Sequence, residues 1–563
     1  MKKILKSKYI IIILIATLII FLNLFINPRY YGHDTIFHTA NIIELSKTIN
    51  IHNIFGNNIV SFESNHFGYG TWLFYPKLPH LLGAYLYKIF NIYTSMKIVY
   101  FITTLLSVIT MYYLSKIIYK NKKIALLSSL IYLTVPYHIC EIYIRDAYAE
   151  NFMFLASPLI FLGLYNLLEN NYKKFYIFFI LGYLIGIYSH LVSMVFCTIL
   201  VALFLLYYHK KIFEKEKIKA LIISTLIVTG LSLPFLIKVI EYKSLNIYTV
   251  FLSQSFTSRD MVIYRRPSFK NLIINKPIYD LIMPYFNILT IILFMITTIQ
   301  IIFKKNKYRK ELIPILLFII LLINLICSKL IWKNMPDIFL MIQFSWRLLV
   351  FLSMFISIYA PACIITNLKI PKQYNKILYT LLTILILIEG LNNINYYSEK
   401  EYTENEILQS KYVMGYQYEY YPHIINTNLK SQYHYLTYVD IREDGIITDD
   451  ENISINIISE DFPKLTFEVK NITKKTKIEL PRIYYLGYVL KDKDGNKIKL
   501  KMNDNGFLEA TIKVEGKYTL YHTDTTVEKI ANLIARLTIL LIIIYGGKYR
   551  YERKKNSSIN TML

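Results

Sequence analysis

Tyr9-Ile10-Ile11-Ile12-Ile13-Leu14-Ile15-Ala16-Thr17-Leu18-Ile19-Ile20-Phe21-Leu22-Asn23-Leu24-Phe25-Ile26 follows a basic leader carrying Lys2, Lys3, Lys6 and Lys8. An apolar run of this length matches the roughly 20 helical residues that cross a hydrocarbon core of about 30 Å. It outruns the core of a cleaved signal peptide, about 7–15 residues, and no small-residue cleavage pattern precedes Asn27-Pro28-Arg29. The segment therefore reads as an uncleaved membrane anchor with the N-terminus in the cytoplasm.

Working outward, the same signal recurs at approximately 97–118, 124–140, 151–168, 174–189, 191–208, 219–240, 283–303, 312–331, 346–366, 375–391 and 529–547. With the first run this predicts about 12 transmembrane helices, in a chain of which 55% of residues are hydrophobic. The formal charge of +25 raises the possibility of a nucleic-acid partner. The basic residues instead sit in short clusters between apolar runs, at Lys120–Lys123, His209–Lys219, Lys304–Lys310, Lys369–Lys376 and Lys548–Lys555. An even number of crossings puts every cluster and both termini on the cytoplasmic side, the positive-inside pattern. No nucleic-acid partner is expected. Cys140, Cys197, Cys327 and Cys363 lie in or beside apolar runs and read as buried free thiols.

Residues 392–528 differ in kind. Alternating segments at Ile453–Ile457, Leu465–Val469 and Ala510–Val514 are separated by Asp444-Gly445, Asp494-Gly495, Asn505-Gly506 and Glu515-Gly516. Period-two alternation between turn dipeptides predicts an antiparallel β-sandwich-like module, placed outside the membrane by the helix count. The expected architecture is a polytopic α-helical membrane protein in three parts. These are a transmembrane domain over 1–391, a β-rich extracytoplasmic domain over 392–528, and a last helix with a basic tail over 529–563.

On that topology, ionisable residues from separate connections gather at the outer interface. The first loop carries Gly32-His33-Asp34-Thr35-Ile36-Phe37-His38 and the second Arg145-Asp146-Ala147-Tyr148-Ala149-Glu150. His190 and Arg347 follow at later helix ends, with Arg259, Asp260, Arg265 and Arg266 in between. A carboxylate there can take a proton from an acceptor hydroxyl, and arginines can hold a phosphate leaving group. Trp72, Phe74 and Tyr75, with Phe67 and Tyr69, are placed to line a groove for a lipid tail. Ionisable residues are nearly absent mid-span apart from Arg536, which counts against a proton-coupled transporter.

Several of these stretches together resemble the bacterial YfhO-like membrane proteins and a related group labelled "6-pyruvoyl-tetrahydropterin synthase-related". They are the first-loop segment above, Leu73-Phe74-Tyr75-Pro76-Lys77-Leu78-Pro79, Arg145–Glu150, Ser189-His190-Leu191 and Trp346-Arg347-Leu348-Leu349. Leu480-Pro481, Tyr484–Tyr488 and Asn505-Gly506-Phe507 carry the resemblance into the β module. These groups look like GT-C glycosyltransferases, which use polyprenyl-phosphate sugars. The resemblance implies Asp34 as catalytic base and Asp146 and Glu150 as acceptor or metal ligands. His33 and His38 are added as candidate ligands by position, since they flank Asp34 with His38 one helical turn on; the plainer reading for each is a loop histidine at a polar interface. It also implies Arg145, Arg347 and His190 on the donor phosphate. The partners implied are a polyprenyl-phosphate sugar, a cell-envelope glycopolymer or glycolipid acceptor, and membrane lipids. A divalent cation such as Mg or Mn is conceivable, although a lone acid stands where an Asp-x-Asp pair would be clearer. No nucleotide cofactor is expected, since no Gly-rich phosphate loop appears. Ser345 departs from the proline expected before the Trp-Arg pair.

Plainer readings stand beside each assignment. Asp34 can cap the helix that follows, Arg145 and Glu150 can form a structural ion pair, and His190 can bond a neighbouring helix. Arg347 can anchor a headgroup, and the aromatic run an interfacial belt. At the level of function, the alternative to transfer is a flippase or exporter of envelope lipids.

Overall fold

The computed structural model describes residues 7–26, 32–61, 66–252, 258–274, 286–365, 372–394, 402–408, 410, 419–427 and 438–559. The Asn27-Pro28-Arg29 stop, part of the Lys369–Lys376 cluster and much of 395–437 lie outside them.

The chain is mostly helical, with antiparallel sheet near its C-terminus. Six helices are long and apolar enough to cross a membrane: Lys8–Ile26, Ile92–Tyr119, Glu150–Leu168, Lys215–Leu245, Arg309–Cys327 and Ser345–Ile364. A seventh is added if the bent pair Lys122–Thr134 and Pro136–Tyr143 counts as one span. The count of about 12 is therefore not reached among the described residues. The runs expected at 375–391 and 529–547 lie in helices of 21 and 34 residues, Lys372–Asn392 and Thr526–Ile559, and the others are short. Leu191–Tyr207 has 17 residues and Ile288–Ile302 has 15. At 1.5 Å per residue such helices reach only about 22–26 Å, short of a full hydrocarbon core. The separation of helices at Ser189-His190 is present, with Tyr172–Ile187 ending just before it.

The bent pair shows how sequence dictates the break. Pro136 has no N–H to give to the carbonyl of Tyr132, four residues earlier. That carbonyl instead accepts from His138 Nδ1 at 3.1 Å. The carbonyl of Thr134 takes the Asn287 side-chain amide at 3.0 Å. The helix bends by 42° with the freed backbone satisfied inside the protein. Tight helical hairpins elsewhere rest on asparagine. Asn121 accepts from the backbone N–H groups of Lys123 and Ile124, directly after Lys120 turns through φ +50.

The compact units cut across the linear boundaries expected at 391 and 528. The first unit comprises 1–56, 76–222 and 253–413; the second comprises 57–75, 223–252 and 414–563. In the second, β1 (Ile447–Thr448), β4 (Thr476–Ile483), β8 (Phe507–Ile512) and β7 (Leu500–Met502) form one sheet in the order β1-β4-β8-β7. The other runs β2-β3-β9-β5-β6, with β2 Ser454–Asp461, β3 Lys464–Lys470, β9 Gly516–His522, β5 Tyr488–Lys491 and β6 Lys497–Ile498. Alternation buries Leu465, Phe467 and Val469 on β3 and Leu508, Ala510 and Ile512 on β8.

Residues 57–75 belong to this unit through backbone pairing and aromatic packing. The Ile483 N–H donates to the Phe67 carbonyl at 3.0 Å. Phe67 packs edge-on to Phe507, and Tyr69 meets Tyr420 and Tyr421. Phe74 stacks on Tyr420 at 5.2 Å, with the Tyr242 and Tyr248 rings each 5.0 Å away. Trp72 is buried. The side chains expected to line a lipid groove are thus a packed aromatic core. An aromatic run with no charge among its neighbours fits either setting, and the rings contributed by 242–251 and 420–421 are what settle it.

Candidate functional site

The first unit holds the ionisable residues that the sequence singled out. The loop before helix Thr35–Thr48 lies directly on the loop after Pro136–Tyr143. His33 N–H donates to the Ile144 carbonyl at 3.2 Å, and Asp34 N–H to the Arg145 carbonyl at 3.0 Å. Gly32 makes this approach possible. A Cβ at Gly32 would lie 2.6 Å from Asp146 Cβ and 2.9 Å from both Asp146 N and Ile144 O. Gly32→Ala is expected to cost about 1–3 kcal/mol through overpacking against backbone, read as a lower thermal midpoint in detergent. An unchanged midpoint would mean the two loops part without penalty.

Asp146 is fully buried with φ +54. Tyr100 hydroxyl donates to its Oδ1 and Thr35 hydroxyl to its Oδ2, each at 2.6 Å. Its carboxylate ties three elements together through these two bonds, a structural role. The Thr35 hydroxyl that bonds Asp146 also receives the Gly32 N–H at 2.6 Å.

Asp34 is treated differently by its surroundings. It occupies the N-cap position of Thr35–Thr48, yet its side chain makes no cap hydrogen bond. Solvent reaches it, although it stands in a recess crowded by protein. That crowding pushes its carboxyl above the ordinary carboxylate range, against the pull of Arg145, His33 and Arg347. His33 is exposed beside it.

Next to this carboxylate is an ionic chain. Arg145 Nη1 bonds Glu141 Oε1, reaches Glu150 Oε2 at 3.4 Å and lies 3.3 Å from the Tyr137 hydroxyl. Tyr137 donates to Glu150 Oε1 at 2.9 Å. Arg347 Nε faces Glu150 Oε2 at 3.3 Å, and its Nη1 donates to the Ile342 carbonyl and to Gln343 Oε1, both at 2.9 Å. Burial opposes charge on Arg145, but Glu141 and Glu150 outweigh it and hold the guanidinium protonated. Arg145 is therefore embedded between carboxylates, as in the structural ion pair of the plainer reading. Glu150, between two arginines, is likewise a structural bridge. Arg347 shares the Phe344 ring with Arg265, whose guanidinium carbons lie 5.1 and 4.8 Å from its centroid. No carboxylate pairs with Arg265 among the described residues.

The histidines divide. His190 caps helix Leu191–Tyr207 by accepting from the Ser193 N–H through Nδ1, a structural duty in place of phosphate binding. His38 turns inward, with Nδ1 2.8 Å from His80 Nε2 and both rings packed against Tyr148. Burial lowers His38 to about 3 and His190 to about 4, and drives His80 well below the ordinary 6.5. His38 is thus a core residue. Among the described residues no group of three or more His, Cys, Asp or Glu is arranged to hold a metal ion.

These three histidines are neutral when folded and gain protons when the chain unfolds below about pH 6.5. Each contributes stability that is fully present above that pH and is lost as pH falls toward its folded value. The expected slope approaches about 1.4 kcal/mol per pH unit for each. Unfolding midpoints measured from pH 7.5 to pH 5 should fall accordingly; a flat profile would contradict neutral burial.

His80 and Glu141 are the members that sequence reading did not assign. Glu141 had a signal, its i,i+4 spacing to Arg145 on one helical face. His80 had none beyond being a polar residue in an apolar stretch.

Among the described residues, the fold and site define a helical protein with six to seven helices of spanning length, a buried Arg–Glu network, and beside it Asp34, whose side chain makes no cap hydrogen bond. No family model matches the chain. An uncharacterized protein of Lactococcus lactis subsp. cremoris (strain MG1363) is similar to it, 34% identical over 110 residues. That stretch is 18% of this chain and 18% of the relative's length.

Proposed function

We propose that this protein is a polytopic membrane glycosyltransferase of the GT-C type, akin to the YfhO-like proteins. It would move a sugar from a polyprenyl-phosphate donor to a cell-envelope acceptor. On this reading the three shorter helices and the helices Lys372–Asn392 and Thr526–Ile559 also enter the membrane, bringing the crossings to about 12. Both termini are cytoplasmic, and the β-rich region and Asp34 face outward.

The observation that carries the reading is the Asp34 carboxylate, which has no hydrogen-bond partner among the described residues. A cap position normally consumes such a group; here it makes no cap hydrogen bond and stands in a recess, with raised proton affinity, near Arg347. Asp34 accepts the proton of an acceptor hydroxyl as that oxygen attacks the anomeric carbon. The bond from that carbon to the phosphate oxygen breaks, and polyprenyl phosphate departs. Arg347 and Arg265, spaced across the Phe344 ring, neutralise the phosphate. Arg145 acts at one remove, holding Glu150 and through it Arg347.

The test is transfer of radiolabelled sugar from a synthetic polyprenyl-phosphate hexose or pentose to envelope polymer by the full-length protein in lipid vesicles. New glycosidic product supports the reading. Movement of donor across the vesicle without any product would replace it with the flippase alternative.

A further inference from the structure

The second unit contains a cleft of about 470 Å³ whose lining includes His66, Phe67, Asp444, Ile457, Glu460 and Arg482. Two features set it apart from an ordinary surface crevice. Arg482 is fully buried, a costly position for a guanidinium unless its N–H groups are engaged. Nη1 donates to the Pro481 carbonyl at 2.7 Å, and Nη2 pairs with Glu460 Oε1 at 2.8 Å. The Phe462 ring lies 4.9 Å from the guanidinium carbon, and neither Nε nor Nη2 has a hydrogen-bond partner among the described residues, so the contact with Glu460 is an ion pair. The arginine thus pins one oxygen of Glu460, a carboxylate that is 42% exposed at the end of edge strand β2.

The second feature is Asp444, exposed at the turn before β1. No donor to its carboxylate is present among the described residues. The cleft therefore offers two acceptor carboxylates, one prepositioned by a buried cation, over an apolar floor of Phe67 and Ile457. Among the described lining residues the one guanidinium, Arg482, is already matched by Glu460, so a ligand that brings hydrogen-bond donors and no negative charge fits best. Sugar hydroxyls with an apolar ring face meet both conditions, and fixing Glu460 in advance lowers the ordering cost of binding. The volume suits a small ligand or a short stretch of polymer.

We infer that this cleft binds a neutral, hydroxyl-rich saccharide through Glu460 and Asp444, with Arg482 positioning Glu460. The inference is independent of the transfer chemistry assigned to Asp34. The full-length protein in detergent is titrated calorimetrically with maltotetraose, cellotetraose and N-acetylglucosamine tetrasaccharide. At least one should bind. Glu460→Gln and Asp444→Asn should each weaken that binding about tenfold or more, the effect of losing about 1.4 kcal/mol. Exposed Glu451→Gln should leave it unchanged. All three substitutions are at exposed positions, so unchanged melting temperatures confirm that the fold is retained. Binding of none of the three sugars, equal binding by the cleft variants, or stronger binding of inorganic phosphate, Ca2+ or spermidine would each overturn the assignment. Retention of sugar binding by an Asp34→Asn protein separates this result from the fate of the transferase reading.

Discussion

Asp34→Asn is expected to lower sugar transfer about 100- to 10,000-fold, the range for removing a positioned general base. The substitution keeps the shape of the side chain and removes only its ability to take a proton. Asparagine is as good an N-cap residue as aspartate, and Asp34 makes no cap bond in any case. The helix Thr35–Thr48 should therefore start where it does now. The backbone bonds that join the loop to Ile144 and Arg145 do not involve the changed atoms. Melting temperature and donor affinity should stay close to those of the parent protein, and the loss should fall on kcat. Transfer at the parental rate would remove Asp34 from the mechanism.

The second large effect is on stability. Glu150→Ala should cost about 3–5 kcal/mol, the usual penalty for removing one partner of a buried ion pair. The Glu150 side chain is 3% exposed and bridges Arg145 to Arg347, whose side chains are 8% and 13% exposed. Its loss leaves Arg347 without a carboxylate among the described residues and Arg145 with Glu141 alone. It also takes the acceptor from Tyr137. Glu150→Gln keeps the shape and the acceptor, and should recover part of the loss. Pairing Glu150→Ala with Arg347→Ala should cost less than the sum of the two, since coupled neighbours are non-additive. Denaturant unfolding in detergent reads all three; a loss under about 1 kcal/mol for Glu150→Ala would show that the network bears little of the fold. The two predictions separate roles that sequence reading had merged, because Asp34 should matter to rate and Glu150 to folding.

Much of this was legible in residue order. Lys8–Ile26 and Ile92–Tyr119 announce themselves by unbroken apolar length. Strands β2, β3 and β8 fall on the alternating segments. Asp34, Arg145, Glu150 and Arg347 are recognisable as charges at the ends of apolar runs, where unpaired burial would be prohibitive. Composition and periodicity are local properties, and these features depend on little else.

What residue order determined was the helical, membrane-spanning character of the chain, its β-rich C-terminal region and the set of ionisable residues outside the apolar runs. Which of those residues were consumed by neighbours was decided only in three dimensions. Asp146 is claimed by Tyr100 and Thr35, His38 by His80, and Arg145 by two glutamates, while Asp34 is left open. The aromatic run at 67–75 found its partners at 242–251 and 420–421, far along the chain. A hydrogen bond or a ring contact needs two groups, and nothing in the spacing of one segment specifies the other.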